Sequence, residues 1–245
     1  IYKKMKKKSV SINIISSFNH SNFSNLLKND SSFDWKIKEV DYNQVFQTLN
    51  NPKADLWKTK ANITLIWVTP DLISSEFQKL QNQNLTVNSK VLKKDIDYFC
   101  SCVQFAKIHS DIILIPNWIL KRPLESNPAL SYSASFGLEY NLSLMNNYLT
   151  DKLNEEKNFY ILNSSKWLTR CGSENAYNSK LWYLTKNPFS NNFFKEAILD
   201  ISNIYKSTKG LSKKLLILDL DDTLWGGILG DVGWKNLRIG GHDHI

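Results

Sequence analysis

The chain has 245 residues, 42% hydrophobic and 22% charged, with 31 basic against 23 acidic side chains for a net charge of +8. That is the make-up of a globular chain able to bury a core of its own. Three cysteines, Cys100, Cys102 and Cys171, exclude a disulfide-framed secreted fold, and no apolar run approaches the ~20 residues that span a bilayer. Much of the excess charge sits in Lys3, Lys4, Lys6, Lys7 and Lys8, a solvated basic tail over residues 1–8. Without a recognition motif or basic helix, that tail gives no case for nucleic-acid binding. Val10 to Ile15 is too short and too interrupted for the apolar region of a signal peptide, so the protein is expected in the cytoplasm.

In chain order, Val10–Ile15 reads as a buried strand with Ser16-Ser17-Phe18-Asn19 as its polar exit, and a short helix follows near Phe23–Leu27. Trp35–Val40 alternates apolar and charged residues, the pattern of a half-exposed strand towards a sheet edge. Tyr42–Phe46 opens a helix ended by Asn51-Pro52, and Asn62–Val68 is a β-branched and aromatic run, hence a central strand, ended by Thr69-Pro70-Asp71. Leu92, Ile96, Phe99, Val103 and Ala106 share one face of a helix predicted over 89–109. Asp111–Pro116 is a fourth strand, and 117–134, with Pro123 and Pro128, is a long irregular loop. Leu138, Leu142, Met145, Leu149 and Leu153 mark another amphipathic helix, and Asn158–Leu162 a fifth strand. An aromatic loop around Trp182-Tyr183 and a helix over about 192–205 complete this half. Five β–α alternations predict an α/β fold, a doubly wound parallel sheet, over residues 9–206. Residues 207–212 read as a linker.

Lys213–Gly227 carries the clearest chemical signal. Leu215–Leu218 is a four-residue apolar strand, and Asp219, Asp221 and Asp222 follow at its carboxyl end, where ligands of open α/β sheets bind. An aspartate held at a strand end can attack phosphorus. A hard cation such as Mg²⁺ is then needed to let two anions approach, and a second acid to move the proton. Asp219 and Asp221, two positions apart, suit those roles if the chain curls on leaving the strand. Thr223 can bond within the curl, and Gly226-Gly227 permits a sharp exit.

Asp219-Leu220-Asp221-Asp222-Thr223 resembles motif I (D-x-D-x-T) of haloacid dehalogenase (HAD)-like phosphotransferases. Its continuation, Leu224 to Gly233 with Leu237-Arg238-Ile239-Gly240, is similar to the FkbH-like or HAD-IIIC branch. The upstream half also resembles the FkbH N-terminal domain, a flavodoxin- or SGNH-hydrolase-like unit. Ser16-Ser17-Phe18-Asn19, Asp41-Tyr42-Asn43-Gln44, Lys180–Leu184 and Pro188-Phe189-Ser190 carry that likeness.

The resemblance implies Asp219 as nucleophile and Asp221 as general acid/base, with Mg²⁺ held by the Asp219 carboxylate and the Asp221 backbone carbonyl. It implies a phosphorylated small-molecule acyl donor of phosphoglyceryl type and an acyl carrier protein as acceptor. Residues 213–245 would be the first strand and flap of a truncated HAD Rossmann-like domain, the chain the N-terminal fragment of a phosphatase or transferase, and the fragment itself inactive. Ser17 and Asn19 are the loop candidates of the N-terminal domain. SGNH esterases also need a late Asp-x-x-His pair, and here that place reads Asn178-Ser179-Lys180-Leu181. Two rival readings remain: hydrolysis of a small phosphomonoester, and a non-catalytic module over 9–206 that docks a carrier protein or substrate.

Overall fold

The computed structural model describes residues 7–83, 86–121, 128–212, 219–221, 223–236 and 238–239. Its contacts divide the chain into two units, residues 1–202 and 203–245.

The first unit is built on five parallel strands: β1 (Ser9–Ser16), β2 (Asp34–Glu39), β3 (Ala61–Trp67), β4 (Ser110–Pro116) and β5 (Phe159–Leu162), in the order β2-β1-β3-β4-β5. Ile12 lies opposite Ile37 on one side and Ile63 on the other, and Leu65 opposite Leu114. Central strands of a doubly covered sheet are buried on both faces, which is why β1, β3 and β4 are nearly continuous apolar runs. β2 alternates because it is an edge: Trp35 is buried while Lys36 and Lys38 face water, and such charges blunt an edge against pairing with another chain.

The two faces have different cores. One is largely aliphatic: Ile66, Val68, Ile113 and Ile115 meet Leu92, Ile96, Phe99 and Val103 of the helix Ser89–Val103 and Met145, Leu149 and Leu153 of the helix Leu138–Leu153. On the other, aromatic rings gather around Trp67, from Phe18, Phe23, Trp167, Phe189, Phe193 and Phe194. Trp167 is fully buried, and its indole N–H donates to Asp200 at 2.7 Å, so its polar edge is satisfied.

All five predicted strands are present, and the differences lie in the helices. The helix predicted over 89–109 is α-helical to Val103 and continues as a 3₁₀ helix over Gln104–His109, the tighter form helix ends often take. Thr69-Pro70-Asp71 does more than end β3. It opens the helix Pro70–Ile73, with proline at the first position where its missing N–H costs nothing, and Ser75–Gln83 follows. The expected loop around Trp182 is instead the helix Ser179–Thr185. Asn178 caps it by accepting from the Leu181 amide, and Lys186 ends it in the left-handed region at φ 60°. Seven residues that bury no side chain leave no periodicity to read.

The helix Asn191–Thr208 runs past the predicted end and closes in a Schellman motif. Leu211 N–H donates to the Lys206 carbonyl at 2.8 Å and Gly210 N–H to that of Ser207 at 3.1 Å, with Gly210 at φ 64°. In the second unit Trp225–Gly226 pairs antiparallel with Arg238–Ile239, and a one-turn helix, Leu229–Val232, lies between them in sequence. The predicted strand Leu215–Leu218 and Asp222 lie outside the described residues. Among the described residues, no helix is long and apolar enough to cross a membrane.

Candidate functional site

The chain leaves β1, forms β2 on one side and returns to form β3 on the other, so the strand order switches at β1/β3. A crevice opens beyond the carboxyl ends of two strands at such a point. Here it measures about 350 Å³, and its walls include Ser17, Asn43, Thr69, Asp71, Lys121, Trp182 and Lys186. A second recess of about 260 Å³, lined by Tyr177, Asn178 and Pro188, shares Lys121 and Trp182 with it.

The exit of β1 is pinned from several directions. Ser17 N–H donates to the Trp67 carbonyl at 3.1 Å, Asn43 N–H to that of Ser16 at 2.9 Å, and Asn19 N–H to that of Lys186 at 3.1 Å. The Thr69 amide donates to Ser17 Oγ at 2.9 Å, and the two hydroxyls lie 3.2 Å apart. Asn43 and Lys186 both hold positive φ, 66° and 60°. Non-glycine residues rarely adopt that conformation: asparagine tolerates it in turns, and Lys186 takes it where it ends the helix Ser179–Thr185.

Among the described residues, charge in the crevice comes from three side chains. Lys121 Nζ lies 2.6 Å from Asp71 Oδ2, with the two side chains 22% and 11% exposed. It also sits 4.8 Å from the centre of the Trp182 indole, while Lys186 Nζ lies 5.3 Å from the same ring. Asp71 Oδ1 is buried and accepts no hydrogen bond among the described residues.

Ser17, predicted as a loop candidate, lines this crevice; Asn19 instead uses its side-chain oxygen to accept from Ser21 N and Oγ, at 3.0 and 2.8 Å, at the start of the next helix. Among the described residues Ser17 Oγ is bonded to Thr69 and to no base, and a serine hydroxyl without an adjacent base is a weak nucleophile. His20 is buried against Glu39 (3.3 Å), and the His109 ring packs on Phe105 and Trp57. Two of the cysteines are poor nucleophiles too: burial pushes the Cys100 thiol up to about 12 and raises that of Cys171.

In the second unit the chain curls directly after the predicted strand: Leu224 N–H donates to the Leu220 carbonyl at 3.0 Å. Asp221 is partly buried, and its Oδ1 accepts from the Trp225 indole N–H at 3.0 Å and the Leu229 amide at 3.2 Å. Asp219 is exposed, Thr223 lies exposed in the turn, and Gly226 precedes Gly227, which holds φ 106° where the chain turns away. Among the described residues no three metal-ligating side chains gather. The Asp219 carboxylate and Asp221 carbonyl are nonetheless two hard oxygens. Mg²⁺ is commonly held by one or two carboxylates with water completing the shell, so this donor set fits it.

A parallel sheet ordered 2-1-3-4-5 with a crevice at its switch point defines a flavodoxin- or SGNH-like α/β domain. Residues 26–204 match the family model described as "FkbH, N-terminal domain", and the chain belongs to the FkbH family. Among solved structures it is similar to the N-terminal part of BF1531 from Bacteroides fragilis, described as containing a phosphatase domain and complexed with Mg. That likeness has a TM-score of 0.73 and 21% identity, over 96% of this chain and 62% of that one. The chain thus spans less than two thirds of the length of that relative. It is also similar to a variant of Axe2, an acetyl-xylooligosaccharide esterase from Geobacillus stearothermophilus, with a TM-score of 0.50 and 11% identity, over 88% of this chain and all of that one. No curated protein sequence matches significantly.

Sequence reasoning missed Asp71, Lys121 and Lys186. Asp71 read as a strand terminator, and nothing local marked the lysines. The one available signal was Asn178 three residues ahead of Leu181, a helix cap that would have placed Trp182 and Lys186 one turn apart.

Proposed function

We propose that the parent protein is a Mg²⁺-dependent phosphatase or acyl(glyceryl)transferase of HAD type, with Asp219 as nucleophile and Asp221 as general acid/base. The observation that carries this reading is the double anchoring of the Asp221 carboxylate by the Trp225 indole and the Leu229 amide, two residues from an exposed Asp219. Such anchoring fixes a proton-transfer group in one orientation, which general acid–base catalysis requires. The family membership and the likeness to a phosphatase-containing protein complexed with Mg support it further.

In this reading an Asp219 oxygen attacks phosphorus and the bond to the substrate oxygen breaks, giving an aspartyl-phosphate. Asp221 gives its proton to the departing oxygen, then takes one from the water that hydrolyses the intermediate. Bound Mg²⁺ supplies neutralising charge between the two anions. The donor proposed is a phosphoglyceryl compound and the acceptor an acyl carrier protein. The test is transfer of radiolabelled phosphate from a phosphoglyceryl donor to the full-length protein. Label on the wild type and none on Asp219→Asn is expected; equal labelling of both overturns the assignment.

A second reading, docking of a carrier protein by residues 9–206, draws on Tyr183 and Leu184, which are 72% and 70% exposed on the helix beside the crevice. Capture of a purified carrier protein by the wild type but not by the variant with Tyr183→Ser and Leu184→Ser is its expected signature.

A further inference from the structure

We infer that Trp225 is a positioning residue for proton transfer: its indole, together with the Leu229 amide, ties down one oxygen of Asp221 and leaves the other to give and take the proton. This role rests on the phosphoryl-transfer reading and adds to it a residue and a particular oxygen.

Both donors converge on Oδ1. The Trp225 indole N–H reaches it at 3.0 Å and the Leu229 amide N–H at 3.2 Å. Neither group can accept a hydrogen bond, so Oδ1 supplies both bonds from its own lone pairs and has no direction left for a proton. The proton of the neutral acid therefore belongs on Oδ2. Half a turn of the carboxyl would exchange the two oxygens, and the paired N–H groups hold it against that rotation. As an Asp219 oxygen bonds to phosphorus and the bond from phosphorus to the departing oxygen breaks, the Oδ2 proton passes to that oxygen. Asp221 is left as a carboxylate. Hydrogen bonds to a charged acceptor are stronger than those to a neutral one, so the anchoring tightens as the charge develops.

The chain builds this arrangement locally. Asp221, Trp225 and Leu229 recur every four residues. The curl from Leu220 to Leu224 turns Trp225 back beside Asp221, with which it forms an isolated bridge, and pairing with Ile239 fixes its backbone.

The test is kcat/KM of the full-length protein for glycerol phosphate and for p-nitrophenyl phosphate, a constant that covers the steps up to loss of the leaving group. The alkoxide of glycerol phosphate needs a proton to depart; p-nitrophenolate departs without one. Trp225→Phe keeps a ring at this partly buried position and removes the N–H. It should lose about tenfold more on glycerol phosphate than on p-nitrophenyl phosphate, a share of the roughly 10²–10⁴-fold that general acid–base catalysis commonly supplies. A flap that is merely misplaced would slow both esters alike. Adding Trp225→Phe to Asp221→Asn should cost nothing further, because the indole acts only through that carboxyl. Equal losses on the two esters, no loss on either, or a further loss in the double variant would overturn the role of Trp225 while leaving Asp219 as nucleophile. A wild type that fails on either ester, or turnover by Asp219→Asn, would instead sink the phosphoryl-transfer reading itself.

Discussion

Truncating Trp67 to alanine should destabilise the N-terminal unit more than most single changes. The side chain is 3% exposed, and its ring centre lies 5.4 Å from those of Phe18 and Phe23, 5.5 Å from Trp167 and 5.8 Å from Phe194, with Phe189 and Phe193 just beyond 6 Å. A buried tryptophan removes roughly 200 Å² from water, about 5 kcal/mol at ~25 cal/mol per Å². Alanine keeps a small part of that, while the cavity it leaves adds a cost, since six rings that brace one another cannot all collapse inwards. The net expectation is about 4–5 kcal/mol. At a urea slope of about 2 kcal/mol per molar, the midpoint should fall by roughly 2 M. Urea denaturation followed by far-UV circular dichroism measures this, with Trp234→Ala as control. Trp234 is 74% exposed, so its loss should cost under about 0.5 kcal/mol. A midpoint shift below about 1 M for Trp67→Ala, with the slope unchanged, would refute the claim that this ring organises the aromatic face.

Other outcomes follow from backbone and burial. Gly210→Ala should cost about 1–2 kcal/mol: an added Cβ meets nothing within 4 Å, so the loss is purely conformational, at a φ of 64°. Faster amide exchange at Gly210 and Leu211 would register it. Lys186→Gly should raise stability by about 1 kcal/mol by relieving φ 60°; a thermal melt no higher than the wild type's would contradict the strain assigned to that position. Above about pH 9 stability should fall. The unfolded Cys100 thiol titrates near its usual 9.0, while burial holds the folded one near 12, so over that window only the unfolded chain loses the proton and the equilibrium shifts towards it. Cys100→Ala should flatten this alkaline slope in thermal melts taken across that range, with Tyr177, whose phenol burial pushes up to about 12, and the raised Cys171 thiol among the groups that contribute to what remains.

What could be read from the sequence followed the length scale of each signal. β1, β3 and β4 were legible because strands buried on both faces leave unbroken runs such as Asn62–Val68, and β2 because an edge enforces alternation at Trp35-Lys36-Ile37-Lys38. The helices at 70–83 and 179–185 were not: each piece is short, and caps rather than periodicity hold the second. The acidic motif was legible as chemistry because its residues are neighbours in the chain. The crevice was not, because Ser17, Asp71, Lys121 and Lys186 lie on four separate segments and meet only through the order of the strands.

The pairing of Trp67 with Trp167 also has an optical consequence. Two indoles 5.5 Å apart with planes inclined at 67° are close enough for their electronic transitions to couple. Fixed in one handed arrangement, they should give a paired positive and negative band in circular dichroism that no isolated tryptophan produces. The Trp67 carbonyl accepts from the Ser17 amide, so the same residue that generates the band also anchors the crevice wall. That couplet is therefore a built-in, label-free reporter on the packing of the aromatic face behind the exit of β1, and its loss can be followed in the protein's own spectrum.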